Sequence, residues 1–221
     1  MKHSYCVLIL IPLLGGCGLM QSMMTRSVDP TAHAKILAVN GVHDATRMDP
    51  NGNSKQLKVA SGNPLMTADL IIGSDNEANR LFLALDKDNH ARFESADFVL
   101  RSPLGDDSNQ FSVTVELGAV LFNITNGADK SFEVVDTNKN RVFVENTNAQ
   151  FYLSVDDDGL RIFVKRGTLT VINLRSEKEY SLTARQGLSV NTMGIGTPIK
   201  HTDMWVQSIR WNETPLTLKG N

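Results

Sequence analysis

The sequence predicts an all-β domain of many short strands, arranged as a twisted β-sandwich or a short β-solenoid, with room for one short helix near the C-terminus. Two observations carry this. Phe111-Ser112-Val113-Thr114-Val115-Glu116-Leu117 alternates apolar and polar residues without a slip, as a half-buried strand must because successive side chains point to opposite faces. Apolar runs of similar length recur beyond residue 34, separated by Asn126-Gly127-Ala128-Asp129, Asp136-Thr137-Asn138-Lys139-Asn140, Asp156-Asp157-Asp158-Gly159 and Arg166-Gly167. Turn chemistry of that kind at regular spacing marks an all-β architecture.

Taken in order, the chain opens on a different pattern. Met1 and Lys2 give a short, weakly positive start, Val7 to Leu14 is apolar, and Leu14-Gly15-Gly16-Cys17 ends the run with small residues before a cysteine. That is the three-part layout of a secretory signal peptide. A helix spanning a bilayer needs roughly 20 apolar residues, whereas this run breaks at Pro12, Gly15 and Gly16. The ending resembles the lipobox of bacterial lipoproteins, where the peptide is cut before the cysteine and the thiol is acylated. The resemblance implies a signal peptide over residues 1–16, lipid attachment at Cys17, and a membrane anchor worth about 0.8 kcal/mol per buried methylene. Gly18-Leu19 lacks the aspartate associated with inner-membrane retention, which favours the outer membrane facing the periplasm.

Cys6 and Cys17 are the only cysteines, so the mature domain has no disulfide and must be held by its core. The roughly 200 residues that follow are enough for one sizeable core. Residues 17–33 show no strand or helix period and contain Pro30, which fits a lipidated tether. Met20, Met23 and Met24 offer an alternative use as an adaptable docking spot.

Strands are expected at Arg80–Leu85 and His90–Glu94, around the polar turn Asp86–Asn89, and at Phe98–Leu100 and Phe111–Leu117. Gly118 is expected to turn the chain into a further strand, Ala119–Thr125. Phe132–Val135, Val142–Glu145, Phe151–Val155, Leu160–Lys165, Leu169–Asn173, Lys178–Thr183 and Leu188–Asn191 complete the set. One domain without an internal linker covers residues 34–191, and residues 192–221 form a C-terminal extension.

This order of elements resembles the FecR domain, the periplasmic sensing module of bacterial iron-uptake signalling proteins. Leu65-Met66-Thr67-Ala68-Asp69-Leu70-Ile71 resembles the family's leucine, glycine-aspartate and isoleucine step, with Ala68 where glycine is usual. Leu117-Gly118-Ala119-Val120-Leu121-Phe122-Asn123-Ile124 matches its best marked stretch. Phe132-Glu133-Val134 and Val142 to Thr147 resemble the next segment, with Asn146 in place of a glycine and Phe151 arriving late. Ile162 to Val171 resembles the following hairpin, and Gln186 to Val190 the closing strand, with Arg185 where glycine is common. Asn146 adopts the left-handed conformation readily, Ala68 and Arg185 less so. These motifs are structural punctuation in the family, not catalytic. A full signalling member also carries a sigma-factor-binding segment and a transmembrane helix ahead of the domain, so this chain is not expected to relay a signal to a sigma factor by itself.

No Gly-x-Ser-x-Gly elbow, His-Glu-x-x-His, phosphate-binding glycine loop or mature cysteine nucleophile is present, so no catalytic residue and no cofactor is expected. His33, His43, His90 and His201 lack metal-ligand spacing. Asp156-Asp157-Asp158-Gly159 and Asp86-x-Asp88 lack the spacing of a calcium loop, and no metal is expected. A net charge of −2 without a basic stripe gives no support to nucleic-acid binding.

In His201 to Trp211, Trp205 and Ile209 are four apart, with Met204, Ser208 and Trp211 completing a helical repeat. Thr202 or Asp203 could cap it. Either the tryptophans plug one end of the β domain, or Trp205 and Trp211 form a partner-binding platform. The function expected is a lipid-anchored, non-enzymatic envelope module that binds another protein. The alternative is a lipoprotein that binds glycan or peptidoglycan through its aromatic residues.

Overall fold

The computed structural model describes residues 32–49, 51–73, 79–85, 88–101, 110–125, 131–144 and 148–213. The expected signal segment 1–16, Cys17, the expected tether as far as Thr31, and Asn146 lie outside the described residues. The strands are Ala32–Asn40 (β1), His43–Met48 (β2), Ser54–Leu57 (β3), Pro64–Met66 (β4), Leu70–Gly73 (β5), Arg80–Ala84 (β6), His90–Arg101 (β7) and Gln110–Ile124 (β8). They continue as Ser131–Asp136 (β9), Asn140–Val144 (β10), Ala149–Asp156 (β11), Gly159–Arg166 (β12), Thr168–Asn173 (β13), Lys178–Thr183 (β14), Gly187–Asn191 (β15) and Gly196–Ile199 (β16). A short helix, Met204–Ser208 (α1), follows. The protein is all-β, and its sheet extends beyond residues 34–191 on both sides, since β1 begins at Ala32 and β16 pairs with β15.

All strands belong to one hydrogen-bonded sheet, and β7 and β8 give that sheet its shape. The second half of β7 pairs with β5 and with the start of β8, whereas its first half pairs with β6 and with the end of β8. Two wings therefore share one long bent hairpin. The first wing runs β3-β2-β5-β7-β8-β9-β10-β13-β14, and the second runs β4-β1-β6-β7-β8-β11-β12-β15-β16. Every pairing is antiparallel except β8 with β9, so the strands do not coil as a solenoid. Strands that pass between packed sheets through a bend or bulge are a known way to make such corners.

Gly118 lies inside β8 and does not end it, contrary to the sequence expectation. Its φ of +91° bends the strand, and a Cβ there would sit 2.3 Å from the Ser95 carbonyl oxygen and 2.5 Å from Ala96 Cα. On the facing strand Ser95 has φ 44°, and the β7–β8 register shifts at this point. The turn signal in the sequence is thus a paired bulge that redirects two strands at once. Phe98 likewise continues β7 and does not start a new strand.

The wings close on one hydrophobic core. Phe93 stacks on Phe98 at 3.8 Å between ring centroids across the bend, and Phe122 stacks on Phe151 at 5.0 Å. Leu169, Val171 and Leu182 of the first wing belong to the same cluster as Ile162, Leu188 and Val190 of the second. Each such side chain contributes about 1.5–3 kcal/mol on burial, and no disulfide is needed.

Two buried polar constructions fix the ends of the wings. The Asp69 carboxylate, fully buried, accepts both Arg47 Nε (2.7 Å) and Nη2 (2.8 Å) from β2, together with the Met66 amide (2.7 Å). Ala68, just before it, has φ 66°. At the far end Asn173 Nδ2 donates to Asn140 Oδ1 (2.7 Å), and Asn140 Nδ2 donates to Asp136 Oδ2 (2.6 Å). Asn173 Oδ1 accepts from the Arg175 amide and from Ser176, whose hydroxyl reaches the Gly194 carbonyl between β15 and β16. This knot joins turns of both wings. Arg185, the other departure at a glycine position, also has positive φ, 69°. Both substitutes therefore hold the conformation that glycine would take without cost.

Candidate functional site: an aromatic strap over a charged sheet face

The outer face of the second wing carries one continuous cross-strand row. Ala38, Phe82, Arg92, Leu121, Tyr152, Phe163 and Gly187 are successive partners across β1, β6, β7, β8, β11, β12 and β15. Directly opposed residues on one face are neighbours, so the row is a strip of contact. The next row places Arg80 opposite Glu94, Glu94 opposite Ala119, and Ser154 opposite Ala119 and Arg161. At its end Gly187 makes room for Phe163, since a Cβ there would lie 2.8 Å from the Phe163 ring.

Residues 204–213 cross this face as a strap. Ile209 packs with Ala119, Leu121 and Tyr152, flanked by the partly buried Trp205 and Trp211. Tyr152 meets Trp205 at 5.7 Å and Trp211 at 6.5 Å, and Phe163 meets Trp211 at 6.2 Å. The Arg161 guanidinium lies over the Trp205 ring at 5.5 Å, and the Lys165 ammonium lies over Trp211 at 5.2 Å. Such placement adds cation–π attraction to burial.

Beneath the strap lies a compact ionic cluster. Arg92 is 2% exposed, which would be prohibitive for an unpaired guanidinium. It meets Glu94 at 2.5 Å and Glu213 of the strap at 3.3 Å, and donates to the Arg210 carbonyl at 2.6 Å. Arg80 lies 3.6 Å from Glu94 and 3.4 Å from Glu213. The Tyr152 hydroxyl donates to Glu94 at 2.9 Å. Burial first, and the Glu94 charge second, push the Tyr152 hydroxyl well above the usual phenol range, so it remains a proton donor.

Trp205 and Trp211, singled out in the sequence, are thus brought together. They lie across the outer face of a wing and do not plug its end. Sequence reasoning missed Arg80, Arg92, Glu94, Tyr152 and Glu213. The available sign was the loss of alternation in Val120-Leu121-Phe122, Phe151-Tyr152-Leu153 and Ile162-Phe163-Val164, because strands apolar on both sides need cover on both sides. Asp156 forms a hairpin turn, accepting from the Asp158 and Gly159 amides and from Arg161. Among the described residues no three His, Cys, Asp or Glu side chains converge as a cation site would need.

No protein-family model matches the chain, and no curated protein matches it. The chain is similar to two crystal structures of a "putative anti-sigma factor" from Parabacteroides distasonis ATCC 8503. The structure at 2.50 Å resolution shares 21% identity and a TM-score of 0.49, covering 67% of this chain and 70% of that one. The structure at 1.65 Å shares 22% identity and a TM-score of 0.48, covering 65% and 68%.

Proposed function

We propose that this chain is a lipid-anchored, non-enzymatic module of the bacterial envelope, anchored through Cys17 in the outer membrane, whose β domain binds another protein. The observation that carries the binding role is the strapped face, where tryptophan, tyrosine and arginine are gathered on one sheet surface. Those residue types dominate the energetics of protein interfaces. Support for the anchor is the ending Leu14-Gly15-Gly16-Cys17, followed by a tether that leads into β1. A lipid anchor would raise the local concentration of partners on the same membrane. The resemblance of the sequence to FecR domains supports a partner that belongs to envelope signalling.

Three measurements test this. Mass spectrometry of the mature N-terminal peptide is expected to show acylated Cys17, with Cys17→Ser released from the membrane. A photo-crosslinker at exposed Lys165, beside the strap, is expected to give a discrete protein adduct in intact cells. An unmodified, soluble chain overturns the anchor. The absence of any protein adduct overturns the binding role. Unaltered expression of iron-uptake genes in a deletion strain counts against a FecR-type signalling link.

A further inference from the structure

We infer that the outer face of the second wing is a docking surface for a protein segment bearing two aromatic anchors and a carboxylate, and that the C-terminal strap occupies it as the chain's own stand-in. The inference rests on the protein-binding role above and names the chemistry of the partner.

The strap has little structure of its own. Its helix is five residues long, Asp203 makes no side-chain capping bond, and the first turn holds no acidic residue and the last turn no basic one. An isolated helix so short does not persist in water, so contact with the sheet holds it in place. His201, Thr202 and Asp203, which lead into it, are exposed.

The face beneath is arranged without the strap. The pairs Arg92–Glu94 and Tyr152–Glu94 involve sheet residues only. What the strap adds to the buried cluster is a carboxylate. Among the described residues this face carries Arg80, Arg92, Arg161, Lys165 and Arg166 and, as carboxylates, Glu94 and Asp156, and Glu213 supplies a further carboxylate to the two buried guanidinium groups. The fit is imperfect. Glu213 stands 3.3–3.4 Å from its cations, where charge-assisted bonds are typically about 2.7–2.9 Å, and buried Arg92 Nε makes no hydrogen bond. A partner segment that places its carboxylate closer, with aromatic rings where Trp205 and Trp211 lie, gains those contacts and displaces the strap.

Trp205 and Trp211 are the only tryptophans, so a full-length Trp205→Ala/Trp211→Ala variant emits no tryptophan fluorescence. A labelled peptide of residues 201–213 is added to it and to the wild-type chain. Saturable binding to the variant is expected, with a blue shift of the peptide's tryptophans, at an affinity about tenfold or more above that for wild type, whose tethered strap competes. Glu213→Gln in the peptide is expected to weaken binding about tenfold. No saturable binding, equal affinity for the two chains, or indifference to Glu213→Gln overturns the inference. Should circular dichroism show the variant unfolded, hydrogen exchange of the wild-type chain decides. Strap amides are expected to exchange about a hundredfold faster than those of β8 and β11, and equal rates overturn the inference. Neither test uses lipid or an envelope partner. Failure here leaves acylation and crosslinking untouched, and a soluble chain with unmodified Cys17 leaves the docking face untouched.

Discussion

The outer faces of the two wings solve the same burial problem with opposite chemistry, although one strand, β8, runs through both. In the first wing its outward residues are Ser112 and Thr114, both nearly buried. Ser112 faces the Glu133 carboxylate, which is ion-paired with Arg141, and Thr114 accepts from Arg101. In the second wing the outward residues are Ala119 and Leu121, covered by Ile209 and the tryptophans. Alternation in sequence therefore reports the chemistry of the second face, not whether it is wet. A polar outer face is held by hydrogen bonds within the sheet, whereas an apolar one needs a separate piece of chain.

The bend that separates the wings is the point of greatest sensitivity. Gly118→Val places a side chain against the backbone of Ser95 and Ala96 at positive φ. A loss of about 4 kcal/mol or more is expected by urea denaturation, and a loss below about 1 kcal/mol would show that the corner can relax. Within the first wing, Asp69→Ala removes both Arg47 bonds and the acceptor for the Met66 amide. About 3 kcal/mol is expected, near the lower end for breaking a buried pair because Arg47 is partly exposed.

The comparison of outer faces is sharpened by Leu153→Ala against Leu121→Ala. Leu153 lies in the shared core and Leu121 under the strap. The core change is expected to cost about 3–4 kcal/mol and the other about 2 kcal/mol, with only the latter shifting tryptophan emission to the red. Ala68→Gly is expected to add about 1 kcal/mol by relieving a positive φ.

The smallest effect is electrostatic. Burial holds the His43 imidazole below its ordinary value of 6.5 despite bonds to the Asn40 and Arg80 backbone. The unfolded chain takes up that proton first, so stability is complete above pH 6.5 and falls as pH drops toward the folded value. His43→Gln is expected to flatten that part of a stability-against-pH curve. An unchanged slope would assign it to another group.

The strands from β6 to β15 were largely legible because they are short apolar runs, several with a two-residue period, set off by turns rich in Asp, Asn or Gly. The β9–β10 turn ends at Lys139 in a left-handed conformation and the β11–β12 turn at Gly159, where the sequence placed them. Gly118 was misread because a glycine after an alternating strand signals positive φ equally in a turn and in a bulge. The second choice depends on β7, far away in sequence. The glycine-position departures were informative, since Ala68 and Arg185 both prove left-handed. The ionic cluster was not legible. Arg80, Arg92, Glu94 and Glu213 look like ordinary surface charges until strand pairing and the strap bring them under one roof.

The chain enters the sheet along β1, which is bonded on its two sides to β4 and β6. A force arriving through the residues ahead of Ala32 and directed along that strand loads its ladder in shear, many bonds at once, instead of peeling them singly. The strap, attached by its far end and held by side chains, has no such ladder. Under tension applied at both ends, the β1 ladder would hold while the strap, mechanically the weaker element, let go.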